Sequence, residues 1–154
     1  MPLEIERKFL LRSDAWKDLT TQAIPMRQGY LKADEHSTVR VRVTGQAGFL
    51  TVKGPSVGAV RSEFEYAIPV DQALAMLELC ALPIIAKTRY LVPFGGHLWE
   101  VDVFAGANEG LILAEIELET ENESFLLPEW VGEERTGNDR YYNSSLARLP
   151  FSEW

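Results

Sequence analysis

Glu4, Glu6 and Lys8 stand two residues apart in Glu4-Ile5-Glu6-Arg7-Lys8-Phe9-Leu10. Two carboxylates can seat a hard divalent cation, and an ammonium beside them can hold anionic oxygen. That chemistry needs the three groups on one side of the backbone. On a helix a step of two turns the side chain by roughly 200°, so the carboxylates would diverge. On a strand every second residue points the same way. The spacing predicts a strand that presents charge on one face.

The same alternation recurs along the chain. Arg40 and Arg42 alternate with Val39, Val41 and Val43, and Thr51 and Lys53 with Leu50 and Val52. Glu63 and Glu65 flank Phe64, Lys87 and Arg89 flank Thr88, and Glu100 and Asp102 alternate with Trp99, Val101 and Val103. Glu115, Glu117 and Glu119 alternate with Ile116 and Leu118. One such segment would be an ordinary solvated sheet face. Repetition through the chain, with charges of both signs on one parity, fits a β-barrel around a wet, ligand-holding tunnel. The fold expected is mainly β: an eight-stranded antiparallel barrel with a few flanking helices.

Carboxylates on the first strand and on the last form two clusters, Glu4 with Glu6 and Glu117 with Glu119. They suit Mg2+ or Mn2+, which take oxygen ligands from carboxylates, water and phosphate. Glu63, Glu65, Glu100 and Asp102 have two readings, as further ligands or as partners of the opposed cations, since a buried charge must be paired or metal-bound. Lys8, Arg40, Arg42, Lys53, Lys87 and Arg89, converging on one tunnel, would grip a compact polyanion with several phosphates. The chain has neither a Walker-type loop nor a Gly-x-Gly-x-x-Gly fingerprint. Its two histidines, His36 and His97, suggest no Ser/His/Asp arrangement for nucleophilic hydrolysis.

The elements that must position these groups follow from punctuation and period. A first strand covers residues 3 to 11, and Ser13 or Asp14 begins a short helix with Ala15, Trp16 and Leu19. A strand from Met26 to Lys32 follows Pro25, with Gln28 and Tyr30 on one face. Strands at 37 to 43 and 49 to 53 make a hairpin across Thr44-Gly45-Gln46-Ala47-Gly48. After a loop at Gly54-Pro55 and Gly58 comes a strand at 61 to 68. Asp71 caps a helix that carries Ala73, Leu74, Leu77 and Cys80 against the outside of the barrel. Strands at 85 to 92 and 98 to 104 join through Phe94-Gly95-Gly96. The last strand runs from 111 to 120, and 125 to 130 and 138 to 149 read as short helices or ordered coil covering the barrel.

With 154 residues, the chain reads as one domain spanning 1 to 154, without repeat or linker. Its net charge of −8 argues against nucleic acid and anionic membrane as partners. No signal peptide and no apolar run near membrane-spanning length is legible. The single cysteine, Cys80, permits no intrachain disulfide, so a cytoplasmic setting is expected. Antiparallel strand edges, if left open, would allow a homodimer.

Glu4-Ile5-Glu6-Arg7-Lys8 resembles the Glu-x-Glu-x-Lys signature of the CYTH superfamily, the triphosphate tunnel metalloenzymes. The resemblance continues in order through Arg40-x-Arg42, Thr51-Val52-Lys53-Gly54, Glu63-x-Glu65, Lys87-Thr88-Arg89-Tyr90, Trp99-Glu100-Val101-Asp102 and Glu115-x-Glu117-x-Glu119. It implies an eight-stranded tunnel that binds a small-molecule triphosphate and a divalent metal. It assigns Glu4, Glu6 and Glu119 to the principal metal, and Glu117 to a second metal or the attacking water. Lys8, Arg40, Arg42, Lys53, Lys87 and Arg89 go to the phosphates, and Arg140 in Asp139-Arg140-Tyr141-Tyr142-Asn143 to closing one end. Small bacterial members carry a catalytic Lys/Tyr pair; Tyr30 and Lys53 match it, with Lys87 the alternative lysine. The activity implied is hydrolysis of inorganic tripolyphosphate to pyrophosphate and phosphate. The alternatives are a class IV-like adenylyl cyclase, a nucleoside or thiamine triphosphatase, and a non-catalytic polyphosphate-binding module.

Overall fold

The computed structural model describes residues 2–154. Nine strands form: β1 (Leu3–Leu11), β2 (Gln22–Ala33), β3 (Thr38–Thr44), β4 (Ala47–Lys53), β5 (Val60–Ile68), β6 (Ile85–Phe94), β7 (His97–Phe104), β8 (Ile112–Glu117) and β9 (Val131–Glu134). Helix α1 (Val70–Leu77) follows β5 and α2 (Asn143–Arg148) follows β9. Eight strands close an antiparallel barrel in the order β5-β4-β3-β2-β6-β7-β8-β1, with β1 returning to β5. Closure removes the barrel edges through which a homodimer was expected to pair.

The alternating pattern sorts itself across the wall. Phe9, Val92, Trp99, Val101, Ala114 and Ile116 face outward and are buried under Trp16, Trp130 and the chain around Phe125. Val41 and Val43 face outward beneath Ala73 and Leu77 of α1. Gly48 lets that helix approach: a Cβ there would lie 2.7 Å from the Cβ of Ala73. Each Leu- or Phe-sized side chain covered this way contributes about 1.5–3 kcal/mol. The barrel is therefore cored on its outside, which leaves its inside free for charge.

One end of the inside is apolar as well. Leu10, Tyr30, Ile85, Phe104 and Leu113 have the inward parity of their strands and pack with Leu146 and Ala147 of α2. That plug seals the barrel, so the expected tunnel is closed at this end. Along β1 the inward residues run Glu4, Glu6, Lys8, Leu10, from acidic through basic to the apolar seal.

Several elements depart from the expected ones. β2 begins three residues before Pro25 and runs through it. Pro25 faces Thr88 of β6, but β3 begins to pair only at Met26, so one side there is open and the missing N–H costs no ladder bond. Asp71 lies inside the first turn of α1, and Pro69 precedes that helix. β8 stops at Glu117, short of Glu119, because the Glu123 carboxylate takes the Glu119 N–H at 2.6 Å. Residues 125 to 130 form no helix, and β9 is a strand the sequence pattern did not mark. It extends β1 at Phe9 and Leu11, beyond Ile5, where the β1–β5 ladder ends. No helix among the described residues is long and apolar enough to cross a membrane.

Candidate active site

The barrel interior holds a cavity of about 360 Å³. Glu4, Glu6, Lys8, Tyr30, Arg40, Arg42, Lys53, Lys87, Arg89 and Glu117 all line it, brought from six strands by the parity of each. Two expected members stand apart. Glu119 lies past the end of β8, is exposed, and has its N–H bonded to Glu123. Arg140 is exposed on a single turn at Asp139–Tyr141, with its guanidinium 4.5 Å from the Trp154 ring. The barrel end is sealed by Leu146 and Ala147, with Trp154, under the Arg140 guanidinium, packed against that cluster.

The acidic side of the cavity is organised around Glu4. Carboxylate oxygens of Glu4, Glu63 and Glu117 lie within 4.8 Å of one another. The Lys53 ammonium sits among them, 2.9 Å and 3.1 Å from the two Glu4 oxygens and 3.4 Å from Glu63. Burial would raise Glu4, but Lys53 and a hydrogen bond from Glu63 outweigh it and hold that carboxyl low. Glu63, desolvated and sharing a proton with Glu4, is pushed up to about 7. Glu6, expected beside Glu4 on a metal, lines the same cavity but lies outside that triad, next to Glu115. Burial and the neighbouring Glu115 charge push the Glu6 carboxyl well above the usual carboxylate range.

The basic side divides into committed and uncommitted cations. Arg89 is committed: Nε and Nη2 bond the two Asp102 oxygens at 2.8 Å and 2.9 Å, Nη1 bonds Glu100 at 3.1 Å, and Nη2 also bonds Glu115 at 3.0 Å. Asp102 is 1% exposed, and the two cations it meets hold it ionised against its burial. Lys87 bonds Asp102 at 2.7 Å and Asn143 Oδ1 at 3.2 Å. Burial, with Arg89 and Arg42 close by, lowers Lys87 to about 7 in spite of Asp102. Lys8 is paired with Glu115 at 3.4 Å.

Arg42 is different. It is 9% exposed, its Nε donates to Gln28 Oε1 at 2.8 Å, and no carboxylate among the described residues pairs with it. Burial and the neighbouring Arg40 and Arg89 lower it to about 10. Arg40 donates to Thr51 Oγ1 at 3.1 Å and meets Glu65 only at 3.5 Å. These two guanidiniums give the cavity an anion-binding wall with donors still to spend.

The Tyr30 hydroxyl accepts from Gln28 Nε2 at 3.3 Å and shares the cavity with Lys53, but the two are not hydrogen-bonded. The lysine with a depressed value is Lys87; Lys53 is held among carboxylates. Sequence reasoning missed Arg61, which lines the cavity and shares the parity of Glu63 and Glu65. That parity was the available signal. It also left unassigned Tyr142 and Asn143, which reach the cavity from the last helix and follow no strand period.

The donor set fits a hard cation. All three converging ligands are carboxylates, one of them shares a proton that a metal would displace, and an ammonium already occupies the cationic position. Beside them the wall offers unpaired guanidinium donors to an anion. Such a pairing can hold a metal-bound polyphosphate and stabilise charge that develops on it.

Comparison with known proteins agrees with this geometry. Residues 2–148 match the CYTH domain family. An inorganic triphosphatase of Acetivibrio thermocellus is 50% identical over 155 aligned residues, covering 100% of this chain and 99% of the relative. One from Nitrosomonas europaea is 39% identical over 148 residues, covering 94% and 96%. The crystal structure of the inorganic triphosphatase NE1496 superposes with a TM-score of 0.63 at 36% identity, covering 94% of this chain and 97% of that one.

Proposed function

The chain belongs to the CYTH domain family, and from that premise we propose that it hydrolyses inorganic tripolyphosphate to pyrophosphate and phosphate. The observation that carries the reading is one blind cavity holding both a convergent carboxylate triad and the unpaired, buried Arg42. Glu4, Glu63 and Glu117 would hold Mg2+ or Mn2+, which when bound would supply positive charge to the phosphate oxygens and a lowered pKa to bound water. The chain acts as one domain in the cytoplasm, with a small anionic substrate as its partner and neither nucleic acid nor membrane.

The residues divide the work by charge. Arg40, Arg42 and Lys87 bind non-bridging oxygens, fixing the chain of phosphates while water attacks phosphorus and the P–O–P bridge breaks. Because these cations are buried and already oriented by Gln28, Thr51, Asp102 and Asn143, they stabilise the extra charge without reorganising. Arg89 keeps Asp102, Glu100 and Glu115 in place and so shapes the wall. Lys53 supplies the proton taken up by the leaving phosphate oxygen and is reprotonated by the one the attacking water gives up, and Tyr30, oriented by Gln28, positions the reacting group. Glu119 and Arg140 have no part in these steps.

The decisive assay measures phosphate release from tripolyphosphate, ATP and thiamine triphosphate side by side, with and without Mg2+, with cyclic AMP followed in the ATP sample. Metal-dependent release favouring tripolyphosphate is expected. Faster release from ATP or thiamine triphosphate would move the reading to those substrates, and cyclic AMP formation to a cyclase. Tight binding without release would leave a polyphosphate-binding module.

A further inference from the structure

The chain that follows β9 returns to the cavity and spends its polar groups on the cavity's own cations. Lys8 Nζ donates to the Tyr141 carbonyl at 3.0 Å, and Lys87 Nζ to Asn143 Oδ1 at 3.2 Å. Between these two anchors lies Tyr142. Its ring centre stands 5.5 Å from Lys8 Nζ and 5.6 Å from Arg61 Cζ. Its hydroxyl makes no hydrogen bond among the described residues, so the ring is held by the two cations and by its place in the chain. One turn further along the chain, Leu146 and Ala147 complete the apolar seal. Tyr142 thus lines the cavity beside Lys8, in a position flanked by positive charge.

We propose that Tyr142 is a specificity-determining stop that limits how many phosphates the cavity accepts. The inference rests on the hydrolase reading above. A linear phosphate chain whose reacting part lies near Glu4, Glu63 and Glu117 extends inward toward Lys8 and Lys87, and there it meets the Tyr142 ring. A further phosphate on that end would need the volume the ring fills. The flanking Lys8 and Arg61 would attract such a phosphate electrostatically, so the obstacle is steric. Removing the ring therefore converts the obstacle into an additional anion subsite lined by two cations.

The test compares kcat/KM for linear tetrapolyphosphate and tripolyphosphate in wild type, Tyr142→Phe and Tyr142→Ala, with melting temperatures for each. Tyr142→Ala is expected to raise the tetra-to-tripolyphosphate ratio about tenfold, carried by a lower KM for the longer chain, the usual scale for opening pocket volume. Tyr142→Phe should keep the wild-type ratio, because the ring and not the hydroxyl fills the space. Tyr142→Leu, which keeps apolar bulk near the seal but is narrower, serves the same comparison if the alanine variant melts early; its ratio should rise as well. An unchanged ratio in folded Tyr142→Ala or Tyr142→Leu that still cleaves tripolyphosphate overturns the inference alone. Wild type that releases no phosphate from either substrate overturns the hydrolase reading itself, and the two failures are thus distinguishable.

Discussion

Replacing Arg42 by methionine should stabilise the free protein while weakening its hold on substrate. Arg42 is 9% exposed and has no carboxylate partner. Burial and its neighbouring guanidiniums bring it more than two units below the ordinary guanidinium value, to about 10. At about 1.4 kcal/mol per pH unit, that is roughly 3 kcal/mol against the charged form, which still predominates at neutral pH. Methionine removes the buried charge but leaves Gln28 Oε1 without its donor, a loss of about 2 kcal/mol. The net expectation is a gain of about 1 kcal/mol, read as a rise of roughly 2–4 °C in Tm in buffer free of phosphate and sulfate. Tripolyphosphate with Mg2+ should then raise the Tm of wild type clearly and that of Arg42→Met far less. Losing charged hydrogen bonds of about 2–3 kcal/mol weakens Kd by roughly 30- to 150-fold. An Arg42→Met protein that melts several degrees early, yet keeps the full substrate-induced shift, would show that Arg42 supports the wall and is not an anion site.

Three further outcomes follow from the same cavity. Arg89→Lys loses the forked grip on Asp102 and should cost about 3–5 kcal/mol, a fall of roughly 10 °C in Tm, because it leaves a buried carboxylate short of partners. Lys87 titrates at about 7 in the folded protein against an ordinary 10.5. Between those values the unfolded chain binds more protons, so stability attributable to Lys87 rises with pH from about 7 to 10.5. Lys87→Met should therefore flatten the rise of Tm across that window, and an unaltered slope would contradict the burial argument. Glu119→Gln and Arg140→Ala should each change kcat/KM for tripolyphosphate by less than about threefold, since both lie outside the cavity and surface changes of that kind are small. A large loss in either would mean that substrate or metal draws these segments inward.

The sequence by itself determined the strand parity, and through it most of the site. A side chain on a strand has only two directions, so Glu4, Arg40, Arg42, Lys53 and Lys87 could be placed on one surface from spacing alone. Seven such segments with apolar residues on the other parity leave few arrangements besides a barrel with its core outside. Period says nothing, however, about which inward groups meet across the barrel, because that depends on register and stagger between strands distant in the chain. Hence period could not decide between the two readings of Glu63, which on β5 reaches Glu4, nor foresee that Glu6, opposite Glu117 in the ladder, stands beside Glu115. Glu119 continued the alternation of β8 in sequence and lost it in space, because a local carboxylate captured its N–H. Only the tertiary structure could decide that α2 seals the barrel and brings Tyr142 beside Lys8 and Arg61. A short helix after the last strand carries no period that points to a cavity, and its position is fixed by packing against residues from five different strands.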